Sequence, residues 1–370
     1  LMKQNLLSQV LQIIASDSSI NVPDIQNKLN MINVALIGLG YWGPNLLRNM
    51  SSIEDVRIVT LCDKNIENAN GFKKQLFPDV NVVDDYKEVA NDSSIDAVLI
   101  ATPIETHFEI GAFLLSSGKH VFIEKPLARN VEECVRLIDL AAARKLVLMV
   151  GHVFEYNPAV RWIRDYIKQG ELGNILYLYS QRVNLGRIQN STNALWSFAP
   201  HDISIVNYWL GKEPVSVSVR GFSCLTNNIE DVVFVVLDYP EGVGVHLHLG
   251  WLDPRKIRLM TLVGSRKMLV YDDVSMDSKI RIYDKGFAGL DEFLEVPQNY
   301  AEFQFKLRSG DIVIPKINFH EPVQIECEHF VDCIMSGKTP DTDGLNGLSV
   351  VKTLEAAEKS LKQGGKPIHM

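Results

Sequence analysis

The sequence predicts an α/β protein in two parts: a doubly wound parallel sheet on the N-terminal side, then an α+β unit built on a broad, mainly antiparallel open sheet. Three observations predict it. Short apolar runs alternate with helical periodicity as far as Val150, the pattern of successive βαβ units. A glycine-rich turn, Gly38-Leu39-Gly40-Tyr41-Trp42-Gly43, separates the first run from the first helical segment. Beyond Gly151, strand-like alternation is broken by turn signals such as Pro240-Glu241-Gly242 and Gly264-Ser265, which suit antiparallel neighbours. A chain of 370 residues also exceeds the size at which one hydrophobic core stops growing, so two domains are expected, 31–152 and 153–370, meeting across a short junction near Gly151.

The elements follow in order. In residues 1–30, Leu6, Leu7, Val10, Leu11, Ile13 and Ile14 recur at helical spacing, but Ser8, Gln9 and Gln12 interrupt them and only Lys3 precedes them, so a secretory signal does not fit. Because Met31 stands directly before the first strand, this segment is set apart as an appended or variable N-terminal extension. Parallel strands are expected at 32–37, 56–62, 97–101, 120–123 and 147–150, with helices at 45–50, 65–76, 107–116 and 131–144 between them. In the second part a helix at 158–168, a strand at 175–183 and a helix near 202–210 precede the alternation of 215–283. The stretch 284–317 has no regular period, and two helices close the chain at 322–335 and 348–361.

Composition narrows the function. Net charge is −8, from 37 basic and 45 acidic residues, with no basic block, which argues against nucleic acid and against an anionic membrane surface. Local positive sites for an anionic substrate stay open. No apolar run reaches the length of a membrane span. Five cysteines form no CxxC pair and read as reduced thiols of a cytoplasmic protein. His246 and His248 share a strand face without a third ligand at metal spacing, so they read as sheet-face residues at a subunit contact, and no metal site is expected.

The glycine turn has the context that gives it chemistry. It follows a strand, opens a helix, and is followed 20 residues after Gly43 by Asp63 at the end of a second strand. Gly38, Gly40 and Gly43, with Tyr41 and Trp42 between them, let the backbone approach a pyrophosphate, and Asp63 can accept both ribose hydroxyls. Thr102 and Pro103, followed by His107, and the run Glu124-Lys125-Pro126 lie at carboxyl ends of later strands and so face the same crevice. Lys125 can orient a hydroxyl, lower its pKa or move a proton, and Pro126 fixes a turn of the kind where cis-proline occurs. His201, in Ala199-Pro200-His201-Asp202, is the candidate base, since histidine suits proton abstraction at neutral pH. Arg182, Asn184 and Arg187 can reach a diphosphate or a sugar carboxylate, and Tyr156 and Asn157 at the junction can touch either ligand.

Together GLGYWG, ATP followed by TH, EKPLA and a second-domain helix beginning HD resemble the glucose–fructose oxidoreductase / inositol dehydrogenase (Gfo/Idh/MocA) family, from about Met31 onward. Within it, GHVFEYNPAV (151–160), NLGRI (184–188), LWSFAPHDIS (195–204), WLDPRK (251–256) and GSRKM (264–268) are similar to bacterial nucleotide-sugar 3-dehydrogenases, which oxidise C3 of UDP-N-acetylglucosamine or its uronic acid for surface polysaccharide. The resemblance implies a Rossmann-type nucleotide domain with a nicotinamide cofactor on Gly38, Gly40, Gly43 and Asp63, and Lys125 and His201 at the reacting carbon. A nucleotide-sugar substrate follows, with Asp202 among the substrate residues, and so does a homodimer or homotetramer through the C-terminal sheet. Asp63 favours NAD because a carboxylate there repels a 2′-phosphate, while the neighbouring Lys64 leaves NADP open. One departure stands out: the family carries Asp four residues before the histidine, where this chain has Ser197. Two rival readings therefore stand beside the dehydrogenase: an NADPH-dependent sugar ketoreductase, and a non-catalytic sensor of cofactor and sugar nucleotide.

Overall fold

The computed structural model describes residues 31–186, 192–287 and 307–370. The first part begins with β1 (Ile32–Ile37), α1 (Gly43–Met50), β2 (Val56–Cys62), α2 (Ile66–Leu76), β3 (Asn81–Val83), α3 (Tyr86–Asn91) and β4 (Ala97–Ile100). It continues through α4 (Ile104–Ser116), β5 (His120–Glu124), α5 (Val131–Arg144) and β6 (Leu148–Gly151). Helices cover both faces of the resulting sheet, which is why its central strands are apolar throughout: all four residues of β4 are fully buried. Polar residues start the helices where the sequence places them. The side chains of Asn65, Asp85 and Asn130 accept from backbone N–H groups of the first turns of α2, α3 and α5.

The six strands are parallel in the order β3-β2-β1-β4-β5-β6. Chain direction across the sheet reverses between β1 and β4. A crevice opens outside the carboxyl ends at such a switch point, so the topology brings the glycine turn after β1 beside the Ala101–Thr102 segment after β4. The short β3 and α3 were not foreseen, since three residues of strand and six of helix are too few to show a period.

A 3-10 turn, Val153–Tyr156, leads to α6 (Pro158–Lys168), β7 (Ile175–Leu185) and α7 (Ala194–Leu210), then to β8 (Ser216–Phe222), β9 (Val232–Asp238), β10 (Gly244–Gly250) and β11 (Leu252–Gly264). After β12 (Met268–Asp272), β13 (Ile280–Phe287) and β14 (Leu307–Val313) come α8 (Pro322–Ser336), α9 (Gly344–Lys362) and β15 (Ile368–His369). Nine strands form one sheet, β14-β13-β12-β11-β7-β10-β9-β8-β15, in which β7 and β10 are the parallel pair and the other pairs are antiparallel. Two expectations are corrected here. Part of the stretch without a period, Leu307–Val313, is a strand paired with β13. The helix expected near 202 begins at Ala194, capped by Asn193, whose side chain accepts from Trp196 N–H at 3.2 Å. Pro200 sits inside it, because a proline removes only one helical hydrogen bond and tertiary burial outweighs that loss.

One face of the large sheet is covered by α6, α7 and α9, with Leu247, Val235, Ile203 and Leu354 in its core. The closing helices also return to the first sheet. On α8, Val323, Cys327 and Phe330 pack with Leu36 and Leu46, and Phe330 meets Phe122 of β5 edge to face at 5.8 Å. Leu348 and Val351 of α9 join the opposite layer. Thr342 ties the junction, accepting from Val150 N–H through its carbonyl and donating to Val150 through its hydroxyl, both at 2.8 Å. Among the described residues no helix is long and apolar enough to cross a membrane.

Candidate active site

The glycine turn is shaped by contacts only glycine permits. Gly38 has φ +94°, and a Cβ there would lie 2.6 Å from the Ala101 carbonyl oxygen, so this residue must be glycine for the switch-point loops to meet. A Cβ on Gly43 would lie 2.0 Å from the Gly38 carbonyl oxygen. At Gly40 a Cβ would meet nothing within 4 Å, which leaves open space over the turn. No side chain caps α1. Trp42 Nε1 is a buried donor facing the Glu124 carboxyl. Asp63, half-buried, accepts from Leu39 N–H at 2.6 Å and from Asn65 N–H at 2.8 Å, so the carboxylate that ends β2 also holds the turn in place. These groups fit a dinucleotide: open space over the turn for the phosphates, uncapped backbone donors at the helix start, and an acid beyond the second strand.

The next two strand ends are joined by His107. Its ring nitrogens each lie 2.8 Å from a carbonyl oxygen, one of Pro126 and one of Thr102, so a fully buried histidine ties the loop after β4 to the loop after β5. Thr106 donates to Thr102 Oγ1 at 2.7 Å, and Pro103 precedes the first residue of α4. The Lys125–Pro126 bond is cis. Glu124 is turned inward against Gly151 of β6, where a Cβ would come within 3.0 Å of its carboxyl carbon. Burial raises the Glu124 pKa.

Lys125 points into a cleft of about 570 Å³ between the two sheets, lined by Tyr41, Trp42, Thr102, Glu124, Asn157 and His201 among others. Its Nζ lies 3.5 Å from the Ser197 carbonyl oxygen. Burial and the nearby Arg182 lower the Lys125 pKa against the opposing pull of Glu124. His201 packs its ring on the edge of Phe154 at 5.1 Å, and Arg182 lies over the same phenyl ring at 4.6 Å. Burial, then the positive charges of Lys125, Arg182 and Arg258, hold the His201 pKa well below the usual imidazole value. The cleft thus sets an imidazole held against protonation beside the Lys125 amine.

Other expected residues stand elsewhere. Asp202 is fully buried, accepting from Ser180 Oγ at 2.7 Å and from Arg182 Nε at 2.6 Å, so Arg182 and Asp202 hold each other beneath the cleft. Tyr156 is fully buried too, its hydroxyl 3.1 Å from Thr342 Oγ1 and its ring under Arg161. Asn157 lines the cleft and caps α6 through Ala159 N–H. Asn184 packs beside Gly186 and is not among the lining residues. Ser197 is half-buried, its hydroxyl without a partner. Arg187 lies outside the described residues.

The cleft also holds residues that sequence reasoning missed: Arg258 of β11, Asp273 after β12, Lys279 before β13, and Phe319 before α8. Arg258 pairs with Asp273 at 3.2 Å, Lys279 donates to the Asp273 carbonyl at 2.9 Å, and its ammonium lies 5.4 Å from the Phe319 ring. In the sequence they stand among other charges, such as Arg255 and Lys256 before Arg258 and Asp272 before Asp273, and the β11-β12-β13 pairing is what brings Arg258 to Asp273. Among the described residues no group of three or more His, Cys, Asp or Glu side chains could hold a metal.

Comparison with known proteins places this geometry. Residues 32–152 match the model of an oxidoreductase family with an NAD-binding Rossmann fold, and residues 160–270 match a GFO/IDH/MocA C-terminal domain. A 2,7-anhydro-N-acetylneuraminate hydratase of Escherichia coli is 26% identical over 226 residues, 57% of this chain and 60% of that protein, so the match spans well under two thirds of that relative. Inositol 2-dehydrogenase of Salmonella typhimurium is 22% identical over 344 residues, 91% of this chain and 96% of that one. A solved UDP-N-acetylglucosamine 3-dehydrogenase of Acidithiobacillus ferrooxidans has the same fold, with TM-score 0.76 at 22% identity, covering 90% of this chain and 98% of that one. With the two domain models spanning more than half of its length, the chain belongs to the Gfo/Idh/MocA family of oxidoreductases and carries that family's NAD-binding domain.

Proposed function

We propose that this protein catalyses the NAD-dependent oxidation of a secondary hydroxyl on a nucleotide-linked sugar, at C3 of a UDP-linked N-acetylhexosamine or its uronic acid. The observation that carries the reading is the composition of one cleft. The first sheet contributes the glycine turn and Lys125, α7 contributes neutral His201, and the second sheet contributes two cations, Arg258 and Lys279, beside the Phe319 ring. Guanidinium and ammonium groups suit a diphosphate or a uronate, and an aromatic face suits a sugar or a base. Arg258 already pairs with the Asp273 carboxylate, and a charged substrate would share or replace that carboxylate. The names of the inositol and UDP-sugar dehydrogenases above are consistent with sugar or polyol oxidation, and the second-sheet cations favour the charged substrate.

Bound NAD supplies the hydride acceptor. Gly38, Gly40 and Gly43 would admit its phosphates, and Asp63 would take the adenosine ribose hydroxyls and disfavour a 2′-phosphate. His201, kept neutral, accepts the hydroxyl proton. Lys125 Nζ holds the substrate oxygen and stabilises its developing charge, a role its ammonium keeps as long as it stays protonated. His107 positions both loops without touching the reactants. The same reading puts the enzyme in the cytoplasm and gives it a second copy of itself as partner.

The test is a substrate panel. Purified protein with NAD is offered UDP-N-acetylglucosamine, its uronic acid, inositols and free sugars, and reduced cofactor is followed by absorbance. Turnover is expected on a nucleotide sugar. Arg258→Ala or Lys279→Ala should raise its KM by roughly 10- to 100-fold with a smaller effect on kcat, the scale of a lost charge-assisted hydrogen bond. Oxidation of free inositol with equal efficiency, unaffected by either substitution, would defeat the nucleotide-sugar reading.

A further inference from the structure

Behind the cleft lies a layer of buried ionisable groups that substrate and cofactor do not explain. Phe330 of α8 rests on Phe122 of β5. One helical turn earlier on α8 is Glu326, and two residues further along β5, on the same strand face, is Glu124. Glu124 acts electrostatically on Glu326 and opposes its ionisation, so the two carboxyl groups are neighbours across the contact of α8 with β5. Glu326 is fully buried and neither of its oxygens has a hydrogen-bond partner. The charged groups that face it among the described residues are the carboxyls of Glu124 from β5 and Glu155 from the 3-10 turn. Beside Glu155 is His152, 1% exposed, whose Nδ1 lies 2.6 Å from Asn346 Oδ1 and 3.8 Å from Glu155 Oε1 and whose Nε2 has no partner. Asn346 in turn donates to both oxygens of Glu155, at 3.0 and 3.2 Å. Glu155 and Asn346 then line a second cavity, of about 400 Å³, with Arg164, Asp341 and the exposed Lys212.

We propose that Glu326, His152 and Glu155, bridged by internal water at the unpartnered atoms, form a proton exit from the cleft floor at Glu124 to the surface cavity beside Asn346. This rests on the dehydrogenase reading above. In that reaction the carbinol C–H bond breaks with both electrons leaving as hydride, the O–H proton passes to His201 and a C=O bond forms, so one proton is released per turnover. His201 is a poor place for it to stay, since Lys125, Arg182 and Arg258 and its burial all oppose the imidazolium. Burial disfavours the charged form of each group of the exit. Burial raises Glu326 far above an ordinary carboxyl and pushes Glu155 up to about 8, against Asn346, Arg164 and Arg161, with Asp341 adding to the rise. Burial and Lys125 bring His152 down to about 4. His152 can take a proton at Nε2 while its Nδ1 proton passes to Glu155 Oε1, 3.8 Å away, and a neutral carboxyl can take a proton on one oxygen and release one from the other. Packing alone does not account for Glu326, because a buried carboxyl without partners costs stability that an apolar side chain would not. Orphaned buried polar atoms of this kind are where internal water is found.

Two measurements test the proposal. Infrared spectroscopy of the protein without substrate should show the C=O stretch of a protonated carboxylic acid at pH 7, weakened in Glu326→Gln, and its absence would overturn the proposal. In steady-state turnover, Glu326→Gln should lower kcat by about tenfold or more, the low end of what an impaired proton transfer costs, and enlarge the solvent deuterium isotope effect, with KM and NAD affinity unchanged. Glu326→Met, similar in volume and apolar, controls for folding: it should be at least as stable as the natural protein yet as slow as Glu326→Gln. If Glu326→Met turns over with the natural kcat and isotope effect, the exit does not run through this residue. The infrared band needs no substrate, so a band present in a protein that oxidises no nucleotide sugar would sink the substrate assignment and not the buried acid.

Discussion

Ser197 and His201 stand one turn apart on α7, close enough for a charge placed at 197 to act on the imidazole. The imidazole has four positive or protonatable neighbours, Lys125, Arg182, Arg258 and His152, all of which oppose its protonation, and Asp202, one residue on, is turned away to Arg182. A base with a depressed pKa stays competent at acid pH but is a weak proton acceptor, so the acid limb of the pH–rate profile should fall well below pH 6.5. Ser197→Asp would place an anion beside the ring and raise its pKa. A raised pKa means protonation, and loss of base, at higher pH, so the acid limb should move upward, with Lys125 drawn to the new carboxylate as well. Profiles of kcat/KM for the two proteins decide it. An unmoved acid limb would mean that the side chains at 197 and 201 do not communicate, and His201 would lose its place as the base.

At the scale of elements, the turn between β1 and α1 offers a clean separation of fold from function. Gly40→Ala adds a methyl into open space at an ordinary backbone angle, so stability should change by no more than about 0.5 kcal/mol. The same methyl stands where phosphates would approach the backbone, and NAD affinity should fall by tenfold or more. Gly38→Ala, at positive φ and against Ala101, should lose stability and NAD binding together, by about 1–3 kcal/mol in the folded state. Thermal unfolding with and without NAD reads both, and a Gly40→Ala protein that binds NAD normally would remove the phosphates from this turn. The turn was legible in the sequence because strand, glycines, helix and acid are consecutive or nearly so. So were α5 and α6, whose helical periods span the ranges observed. The start of α7 was not, since Pro200 reads as a first helical residue when burial of the preceding turn is unknown. Nor was the meaning of Arg182 and Asp202: each is visible as a polar residue, but their pairing depends on which face of β7 lies under α7. Asp273 and Lys279 flank one hairpin loop, but Arg258 joins them only through the pairing of β11 with β12, which local sequence does not encode.

For the molecule as a whole, the large sheet presents a problem of coverage. Helices bury one face, while the other carries Tyr177, Tyr179, Phe222 and Val236, each more than a third exposed, around Phe234, on which His248 stacks at 4.7 Å. Apolar and aromatic side chains gathered on adjacent strands form a patch of the kind that marks a protein interface, and an antiparallel sheet with one polar face would not need them. A second copy of the chain is the proposed cover, in keeping with the expected homodimer or homotetramer. A stable pair would bury on the order of 1,600 Å² in total, an area that a face of several paired strands can supply. Phe234→Lys places an ammonium in the middle of the face without touching the helical side, so it should shift the protein toward monomer in sedimentation or light scattering while NAD binding persists. A natural protein that remains monomeric at micromolar concentration would show that something other than itself covers the sheet, and an unchanged oligomer in Phe234→Lys would move the contact to another surface.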